Sequence, residues 1–161
     1  MSKKGKKSSP DTITSNRKAR HEFQIVETLE AGIALRGTEV KSIRAGHVNL
    51  RDAFARVDKG ELWLHGFDVQ PYERASSYFQ HEARRPRKLL MHKREILKLT
   101  QQTSEKGLTI LALRAYWKGQ RVKIELGVGK GKTKGDRRDD LKKQVENREA
   151  ARAMADFNKG R

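Results

Sequence analysis

The sequence predicts a mainly β domain, a small closed antiparallel barrel with two or so short helices, between basic terminal segments. Apolar and polar residues alternate in five or six short segments, and tight turns join several of these directly. Few segments are far enough apart for the helical crossovers that parallel strands need. A closed barrel also leaves no exposed sheet edge. The length of 161 residues suits one such domain with appendages.

The charge of the chain indicates a polyanionic partner. The formal net charge is +17 and the pI is about 10.4. Lys and Arg exceed Asp and Glu by 6 in residues 1–20, by 6 in residues 21–128 and by 5 in residues 129–161. Nucleic acid is the first interpretation, because phosphates supply most of the affinity for such basic segments. An anionic membrane surface is the weaker alternative.

Composition also bounds the compartment. The chain has no Cys, so it forms no disulfide and no thiolate metal site. Lysines near the N-terminus are followed by Ser8, Ser9, Pro10 and Asp11, where a signal peptide needs an apolar stretch. No apolar run is long enough to cross a bilayer. We therefore predict a cytoplasmic protein without membrane partners.

The chain divides into three parts. Residues 1–19 lack hydrophobic periodicity and are predicted to be a flexible basic segment, with residues 16–21 as a hinge. Residues 20–128 contain the alternating segments and are predicted to form the barrel domain. Residues 129–161 are predicted to be a basic C-terminal tail, disordered when free and helical when bound.

The longest alternating segment predicts the first strand of the barrel. Apolar side chains occupy every second position from Phe23 to Leu35, and Glu27 is the one exception on that side. Gly32 lies inside this segment. An interior glycine indicates a bend or bulge, which lets one strand serve two sides of a small barrel.

A short helix is predicted next, from Thr38 as its N-cap to a glycine eight positions later. Val40 and Ile43 are three residues apart and are expected to face the core. Lys41 and Arg44 have the same spacing, so both charges are expected to project from one neighbouring stripe of the helix.

A β-hairpin is predicted from strands at 53–57 and 62–67, because Gly60 between them can take the positive φ of a tight turn. Residues 71–88 are less regular. They contain two prolines and the basic run 84–88, and we expect them to form a long exposed loop.

A one-faced helix is predicted from Lys93 to about Ser104. A second hairpin is predicted from strands at 108–117 and 121–128, joined at Lys118-Gly119. Apolar residues of its later strand fall on even positions and are expected to point inward.

The tail contains a near match to a phosphate-binding loop at Gly131-Lys132-Thr133, but Leu126 stands where that motif requires glycine. A flexible Gly-Lys linker is the better interpretation. Beyond it, a helical wheel groups Arg148, Arg152 and Lys159 on one side and Ala150, Met154 and Phe157 on the other, but Leu141 and Val145 fall on the basic side. This split argues against docking on the protein's own core and favours a helix that forms in a charged groove; a frayed, solvated tail is the alternative.

The histidines and the aromatic residues are candidates for catalytic or base-stacking roles as well as for structural ones. The five histidines and nearby carboxylates show no ligand spacing and no paired acid-base motif, so a small ribonuclease or a metal site is a minor alternative. Aromatic side chains are 6% of the chain and more often belong to a core; five of them are still candidates for stacking on bases: Tyr72, Tyr78, Phe79, Tyr116 and Trp117.

Several blocks of the sequence match a known family. They are Asn16-Arg17-Lys18-Ala19-Arg20-His21-Glu22-Phe23, Glu30-Ala31-Gly32-Ile33-Ala34-Leu35-Arg36-Gly37-Thr38-Glu39-Val40-Lys41-Ser42, Arg44-Ala45-Gly46, Arg87-Lys88-Leu89-Leu90, Tyr116-Trp117-Lys118, Gly127-Val128-Gly129-Lys130-Gly131-Lys132 and Asp136-Arg137-Arg138. In this order the blocks resemble the bacterial SsrA-binding protein family, also called small protein B.

The resemblance implies a barrel related to the OB-fold, which binds the tRNA-like domain of transfer-messenger RNA and delivers it to stalled ribosomes for trans-translation. The protein would be an adaptor without cofactor or metal, and a monomer in a 1:1 complex with the RNA. The tail would probe the empty mRNA channel beyond the decoding centre. The remaining alternative is a ribosomal or general structured-RNA-binding protein.

The resemblance also implies site residues. The RNA-binding residues expected are Asn16, Arg17, Lys18, Arg20, His21, Glu30, Lys41, Arg44, Lys88, Leu90, Lys123, Lys130 and Lys132. The tail residues expected to meet the ribosome are Lys134, Asp136, Arg137, Arg138, Lys142, Arg148, Arg152 and Met154. The chain departs from the family at two positions: Gly135 stands where His is frequent, and Thr38 where Trp is common.

Overall fold

Nine strands and four helices make up the part of the chain that the structure, a computed structural model, describes, which is residues 11–160. The strands are β1 (Asp11–Ser15), β2 (Phe23–Ile33), β3 (Val48–Asn49), β4 (Phe54–Asp58), β5 (Glu61–His65), β6 (Asp68–Val69), β7 (Arg87–Leu90), β8 (Thr109–Lys118) and β9 (Arg121–Gly131). The helices are α1 (Arg17–Glu22), α2 (Gly37–Arg44), α3 (Lys93–Glu105) and α4 (Lys134–Lys159). The mainly β prediction is confirmed, with more strands and helices than expected.

The larger sheet has seven antiparallel strands in the order β1-β8-β4-β5-β7-β2-β9, and β8 also pairs with β9. Strands β1 and β4 share one edge of β8, where β1 pairs with its later half and β4 with Ile110 and Leu111. The hydrogen-bonded neighbours therefore lead from β8 through β4, β5, β7 and β2 to β9, and from β9 to β8 again. Strands β3 and β6 form a separate two-stranded sheet.

The hydrophobic core lies between the strands and two of the helices. Leu62 and Leu64 of β5 are fully buried, as are Ile124, Leu126 and Val128 of β9. Ile43 of α2 and Leu99 of α3 pack into the same core. Both predicted hairpins are confirmed, and Gly60 (φ 77°) and Gly119 (φ 63°) take the positive φ of their turns.

Strand β9 runs three residues further than predicted. Val128 to Gly131 continue its pairing with β2, so the expected flexible linker at 129–131 is wrong. Two glycines of β9, Gly127 and Gly129, permit close packing. A Cβ at Gly127 would lie 2.7 Å from Leu113 Cδ1, and one at Gly129 would lie 2.8 Å from the Gln24 carbonyl oxygen.

Strand β2 confirms the predicted long strand, but its irregularity is elsewhere. The register shifts between Ile25 and Glu27, not at Gly32. Lys98 and Gln102 of α3 hold the Glu27 carboxylate at 2.7 and 3.0 Å. Gly32 instead pairs with both neighbouring strands, and a Cβ there would lie 3.2 Å from Leu90 Cβ. Its lack of a side chain serves this close approach.

Regular structure begins earlier than predicted. Strand β1 forms although four of its five residues are polar, because β8 supplies its hydrogen-bonding partners. The predicted hinge at 16–21 is instead the N-cap and body of α1. The Asn16 side chain accepts from the Ala19 N–H and donates to the Leu50 and Ala112 carbonyls at 2.8 and 3.0 Å. Residues 1–10 of the predicted flexible segment lie outside the described residues.

Helix α2 begins one residue before the predicted N-cap. Its N-cap is Arg36, whose backbone N–H donates to the buried Glu39 carboxylate at 2.8 Å. The Thr38 hydroxyl lies 2.9 Å from His81 Nδ1 instead of capping the helix. Ile43 is buried as predicted, and Val40 is half-buried.

The predicted exposed loop is partly internal. His81 is buried, and Arg87 is fully buried in β7 rather than exposed within a basic run. Glu39 explains this difference, because its carboxylate accepts from both Arg85 and Arg87. A charge that the sequence places in a basic run is thus neutralised by a residue more than forty positions earlier.

The tail is one continuous helix, α4, from Lys134 to Lys159, without a buried residue. Thr133 and Asp136 form a capping box at its start. The tail is therefore helical in this structure, and the helix begins well before Arg148, the first of the grouped basic residues. A disordered free state stays a prediction.

Candidate nucleic-acid interface

Glu30 lies at the centre of a polar cluster on the outer face of β2, β9 and β8. The Tyr116 hydroxyl donates to its carboxylate, and Lys118 Nζ donates at 2.9 Å. The Arg114 guanidinium lies 4.7 Å from the centre of the Tyr116 ring and donates to Glu125 at 3.1 Å. Because Glu30 and Glu125 are register partners, the antiparallel pairing of β2 and β9 holds the cluster together.

The cluster keeps Glu30 ionised. Hydrogen bonds from Tyr116, then from Lys118, lower the pKa of Glu30 below its usual value, and the charges of Lys118 and Lys123 act in the same direction. Burial, together with the Glu30 carboxylate, raises the pKa of Tyr116, so its hydroxyl stays protonated. Glu30 is therefore an acceptor with a fixed orientation, beside the exposed Lys118 and the half-buried Lys123.

A cleft of about 420 Å³ adjoins this cluster. Leu90, Trp117 and Lys123 line it, and Gly32 forms part of its wall. The missing side chain at Gly32 lets Lys123 Nζ approach to 3.6 Å from where a Cβ would lie. The Arg44 guanidinium lies 5.7 Å from the centre of the Trp117 ring. The structure thus brings four predicted residues, Glu30, Arg44, Leu90 and Lys123, to one region.

Helix α1 carries a second group of predicted residues. Arg17, Lys18, Arg20 and His21 are exposed; Lys18 pairs with Asp52 at 3.3 Å and Arg20 with Glu125 at 3.8 Å. Asn16 differs from them, because it is 97% buried and its amide is fully used in capping and cross-linking. It fixes the position of α1 and does not offer its side chain to a partner.

The remaining predicted residues of the body are spread out. Lys41 lies 5.3 Å from the centre of the Tyr72 ring. Lys88 shares the outer face of β7 with Leu90 and pairs with Glu61 at 3.0 Å. Lys130 is exposed at the end of β9, next to Gln24 of β2.

Lys132 has an environment that its sequence neighbours do not indicate. Its side chain is only 14% exposed. Nζ donates to the Arg20 carbonyl at 3.2 Å and to the Asp140 carboxylate of α4, and its backbone N–H donates to the Glu22 carbonyl at 2.8 Å. Lys132 therefore joins the C-terminal end of α1 to the second turn of α4.

The predicted tail residues all lie on α4 and are exposed: Lys134, Asp136, Arg137, Arg138, Lys142, Arg148, Arg152 and Met154. Asp136 differs from the others because it belongs to the capping box of the helix. The Thr133 N–H and hydroxyl donate to its carboxylate at 3.0 and 2.8 Å and lower its pKa. Gly135 lies in the first turn, where an added Cβ would be at an ordinary 3.7 Å from Thr133 Oγ1. No steric contact requires glycine there.

Sequence reasoning missed Arg114 and Lys118, and it considered Tyr116 only for stacking. Tyr116 and Lys118 are two apart on β8, so the strand alternation places both on the face that also receives Glu30. The pairing of β8 with β9 and of β9 with β2 brings these residues together. That pairing is not readable from any single segment.

Other kinds of site find no support between residues 11 and 160. No group of three or more His, Cys, Asp or Glu side chains in this range is arranged to hold a metal ion. Of the helices described there, none has the length and apolarity to span a membrane.

Comparison with known proteins decides the family. The model of the family described as "SmpB protein" matches residues 13–156. A protein named SsrA-binding protein from Desulforudis audaxviator is 56% identical over 142 residues, covering 88% of this chain and 92% of the relative. The chain belongs to the SmpB family.

Further SmpB-family comparisons agree. The SsrA-binding protein of Staphylococcus carnosus is 52% identical over 156 residues, which covers 97% of this chain and 99% of that protein. A solved structure described as "tmRNA-SmpB: a journey to the center of the bacterial ribosome" is 43% identical, with a TM-score of 0.63, and covers 80% of this chain and 93% of its own. The SmpB family is thus recognisable in sequence and in fold.

Proposed function

We propose that this protein is an RNA-binding adaptor that binds the tRNA-like domain of transfer-messenger RNA and delivers it to stalled ribosomes for trans-translation. The observation that carries the proposal is the family match over residues 13–156, together with a tmRNA-SmpB neighbour at 43% identity. The chain of at least one full-length relative is covered almost entirely, at 99%. The protein acts in the cytoplasm, as a monomer in a 1:1 complex with the RNA, and has no catalytic role and no cofactor.

The body is the RNA-holding part in this proposal. The pairing of β8 with both β4 and β9 supports a closed barrel related to the OB-fold. Such a barrel holds Glu30, Leu90, Lys123 and Arg44 in fixed positions on one side. Folded RNA is recognised largely by shape and by phosphate and 2′-hydroxyl contacts, for which fixed cations and an ionised acceptor are suited.

The tail is the ribosome-sensing part. Helix α4 buries none of its residues, so packing on the body contributes little to its stability, and its order depends on its surroundings. A basic helix of 26 residues can form in a groove lined by RNA, such as an mRNA channel from which the messenger is absent. An intact messenger would exclude it, and this exclusion would select stalled ribosomes.

A titration with a matched lysine variant tests the RNA face. We expect Lys123→Ala to weaken binding to transfer-messenger RNA severalfold and to reduce the slope of log affinity against log salt by about one. Lys106→Ala is the control, because Lys106 is exposed at the end of α3 and forms no ion pair within residues 11–160. The control should change neither quantity.

The same measurements separate the alternatives. Equal affinity for transfer-messenger RNA and for a generic RNA duplex at raised salt would indicate a general RNA-binding protein instead. Cleavage of end-labelled RNA during the incubation would indicate a ribonuclease.

A further inference from the structure

Two aromatic side chains are exposed at the tip of the loop between β6 and β7. Tyr78 is 88% exposed and Phe79 is 70% exposed. Their rings pack edge to face, with centroids 5.1 Å apart and an interplanar angle of 86°. In this arrangement one ring points its edge at the other, so neither face of that ring is covered by its neighbour. Neither the family motifs nor the proposed site includes these residues.

The base of this loop is fixed by side chains. The Tyr72 backbone N–H donates to Gln80 Oε1 at 3.1 Å, and Gln80 Nε2 donates back to the Tyr72 carbonyl at 2.8 Å. Directly after this clamp, buried His81 donates from Nε2 to the Val69 carbonyl at 2.9 Å. Within the loop, the Phe79 N–H donates to the Ser76 carbonyl at 3.1 Å. The aromatic tip is therefore held on a defined base.

Contacts connect this base to the proposed RNA face. Tyr72, at the clamp, lies under Lys41 of α2 at 5.3 Å. One turn along α2, Arg44 lies 5.7 Å from the ring of Trp117, which lines the cleft with Lys123. The base of the loop that carries the aromatic tip thus adjoins a series of cations and aromatic rings that leads to the cleft.

We propose that Tyr78 and Phe79 stack on an unpaired nucleobase of transfer-messenger RNA; this inference rests on the proposed function. On the same loop, exposed Arg74 is suited to a phosphate flanking such a base, whereas Arg84 pairs with Asp68 at 3.6 Å. Aromatic faces stack on any base, so the contact adds affinity without reading sequence. The partner is RNA rather than a protein surface because the base of the loop adjoins the cations Lys41 and Arg44 of α2.

The test compares the full-length Tyr78→Ala/Phe79→Ala variant with Tyr78→Phe/Phe79→Tyr, which keeps both rings. Affinity for transfer-messenger RNA is measured by titration over a series of salt concentrations. We expect the alanine variant to lose about fivefold or more in affinity at every salt concentration, with an unchanged salt slope, because stacking releases no counterions. The ring-exchanged variant should bind like the unaltered protein.

Three outcomes would overturn the proposal: unchanged affinity of the alanine variant, equal loss in the ring-exchanged variant, or loss of binding to vacant ribosomes with transfer-messenger RNA binding intact. The last would assign the rings to the ribosome. Circular dichroism and the melting temperature of each variant check that the body is folded. If the unaltered protein fails to prefer transfer-messenger RNA, the proposed function itself fails, which is a separate result.

Discussion

At the scale of single residues, the buried pair of Glu39 and Arg87 fixes the part of the chain that leads into β7. Both side chains are fully buried, and Arg87 Nε donates to the Glu39 carboxylate. The guanidinium also donates to the carbonyls of Phe67 at 2.6 Å and Ala83 at 3.0 Å. One arginine thus ties the base of the loop to α2 and to the connection between β5 and β6, because each of these acceptors belongs to a different segment.

Replacing Glu39 by Gln should lower the free energy of unfolding by about 3 kcal/mol or more, because it leaves the Arg87 charge buried without a counterion. Denaturant unfolding at pH 7 measures this loss. Glu61→Gln is the control, since Glu61 pairs with Lys88 on the surface and should cost less than about 1 kcal/mol. Equal losses in the two variants would contradict the assigned role of the buried pair.

The same pair predicts a dependence on pH. Burial raises the pKa of Glu39, but the hydrogen bonds from Arg85, the Arg36 N–H and Arg87 outweigh burial and hold the pKa below its ordinary 4.5. A carboxyl group whose pKa is lowered in the folded state stabilises the fold at any pH above its ordinary pKa. This contribution is lost as the pH falls through the lower pKa of the folded state. Unfolding free energy should therefore fall below about pH 4.5, and less steeply in Glu39→Gln.

At the scale of elements, the predictions succeeded where the signal is local. The hairpins at β4–β5 and β8–β9 follow from alternation and a turn glycine, both contained in one stretch of chain. The failures involve partners distant in sequence. Strand β1 has little hydrophobic pattern and depends on β8, about 100 residues away. Gly129 belongs to a Gly-Lys stretch whose composition is typical of a linker, but it packs against Gln24 within a strand pair.

In the candidate site, too, some features are predictable from the sequence and others depend on residues distant in the chain. The types of its residues follow from charge and from the family motifs, and Lys123 and Leu90 do lie exposed or half-buried together at the cleft. Their surroundings could not be predicted. Asn16 is buried between Leu50 and Ala112, and Lys132 is enclosed by Arg20 and Asp140. Burial depends on tertiary packing, which a motif does not contain.

The link between Lys132 and Asp140 should set the direction of α4 relative to the body. The chain has no native cysteine, so spin labels can be placed at Gln101→Cys in α3 and Asn147→Cys in α4. We expect Asp140→Asn to broaden the distribution of distances between these labels, because it removes the ion pair that holds the second turn of α4.

Asp139→Asn is the matched control for this experiment. Asp139 is the neighbouring carboxylate and forms no ion pair within residues 11–160. Its variant should keep the distribution of distances of the unaltered protein. If Asp140→Asn also keeps that distribution, the ion pair does not orient the tail, and the backbone at Lys132 and Thr133 alone determines its direction.

At the scale of the whole molecule, we propose a boundary between body and tail at Thr133, because β9 extends to Gly131 and Lys132 is held by α1. A chain ending at Thr133 should therefore bind transfer-messenger RNA within about twofold of the full chain, because it keeps Glu30, Arg44, Leu90 and Lys123 of the proposed RNA face. It should fail to support tagging on stalled ribosomes in a reconstituted translation assay. A chain ending at Val128 is the contrast: it removes the pairing of Gly129–Gly131 with Phe23–Ile25 and should melt at a lower temperature. Equal loss of RNA binding and tagging in the chain ending at Thr133 would show that body and tail do not act as separate parts.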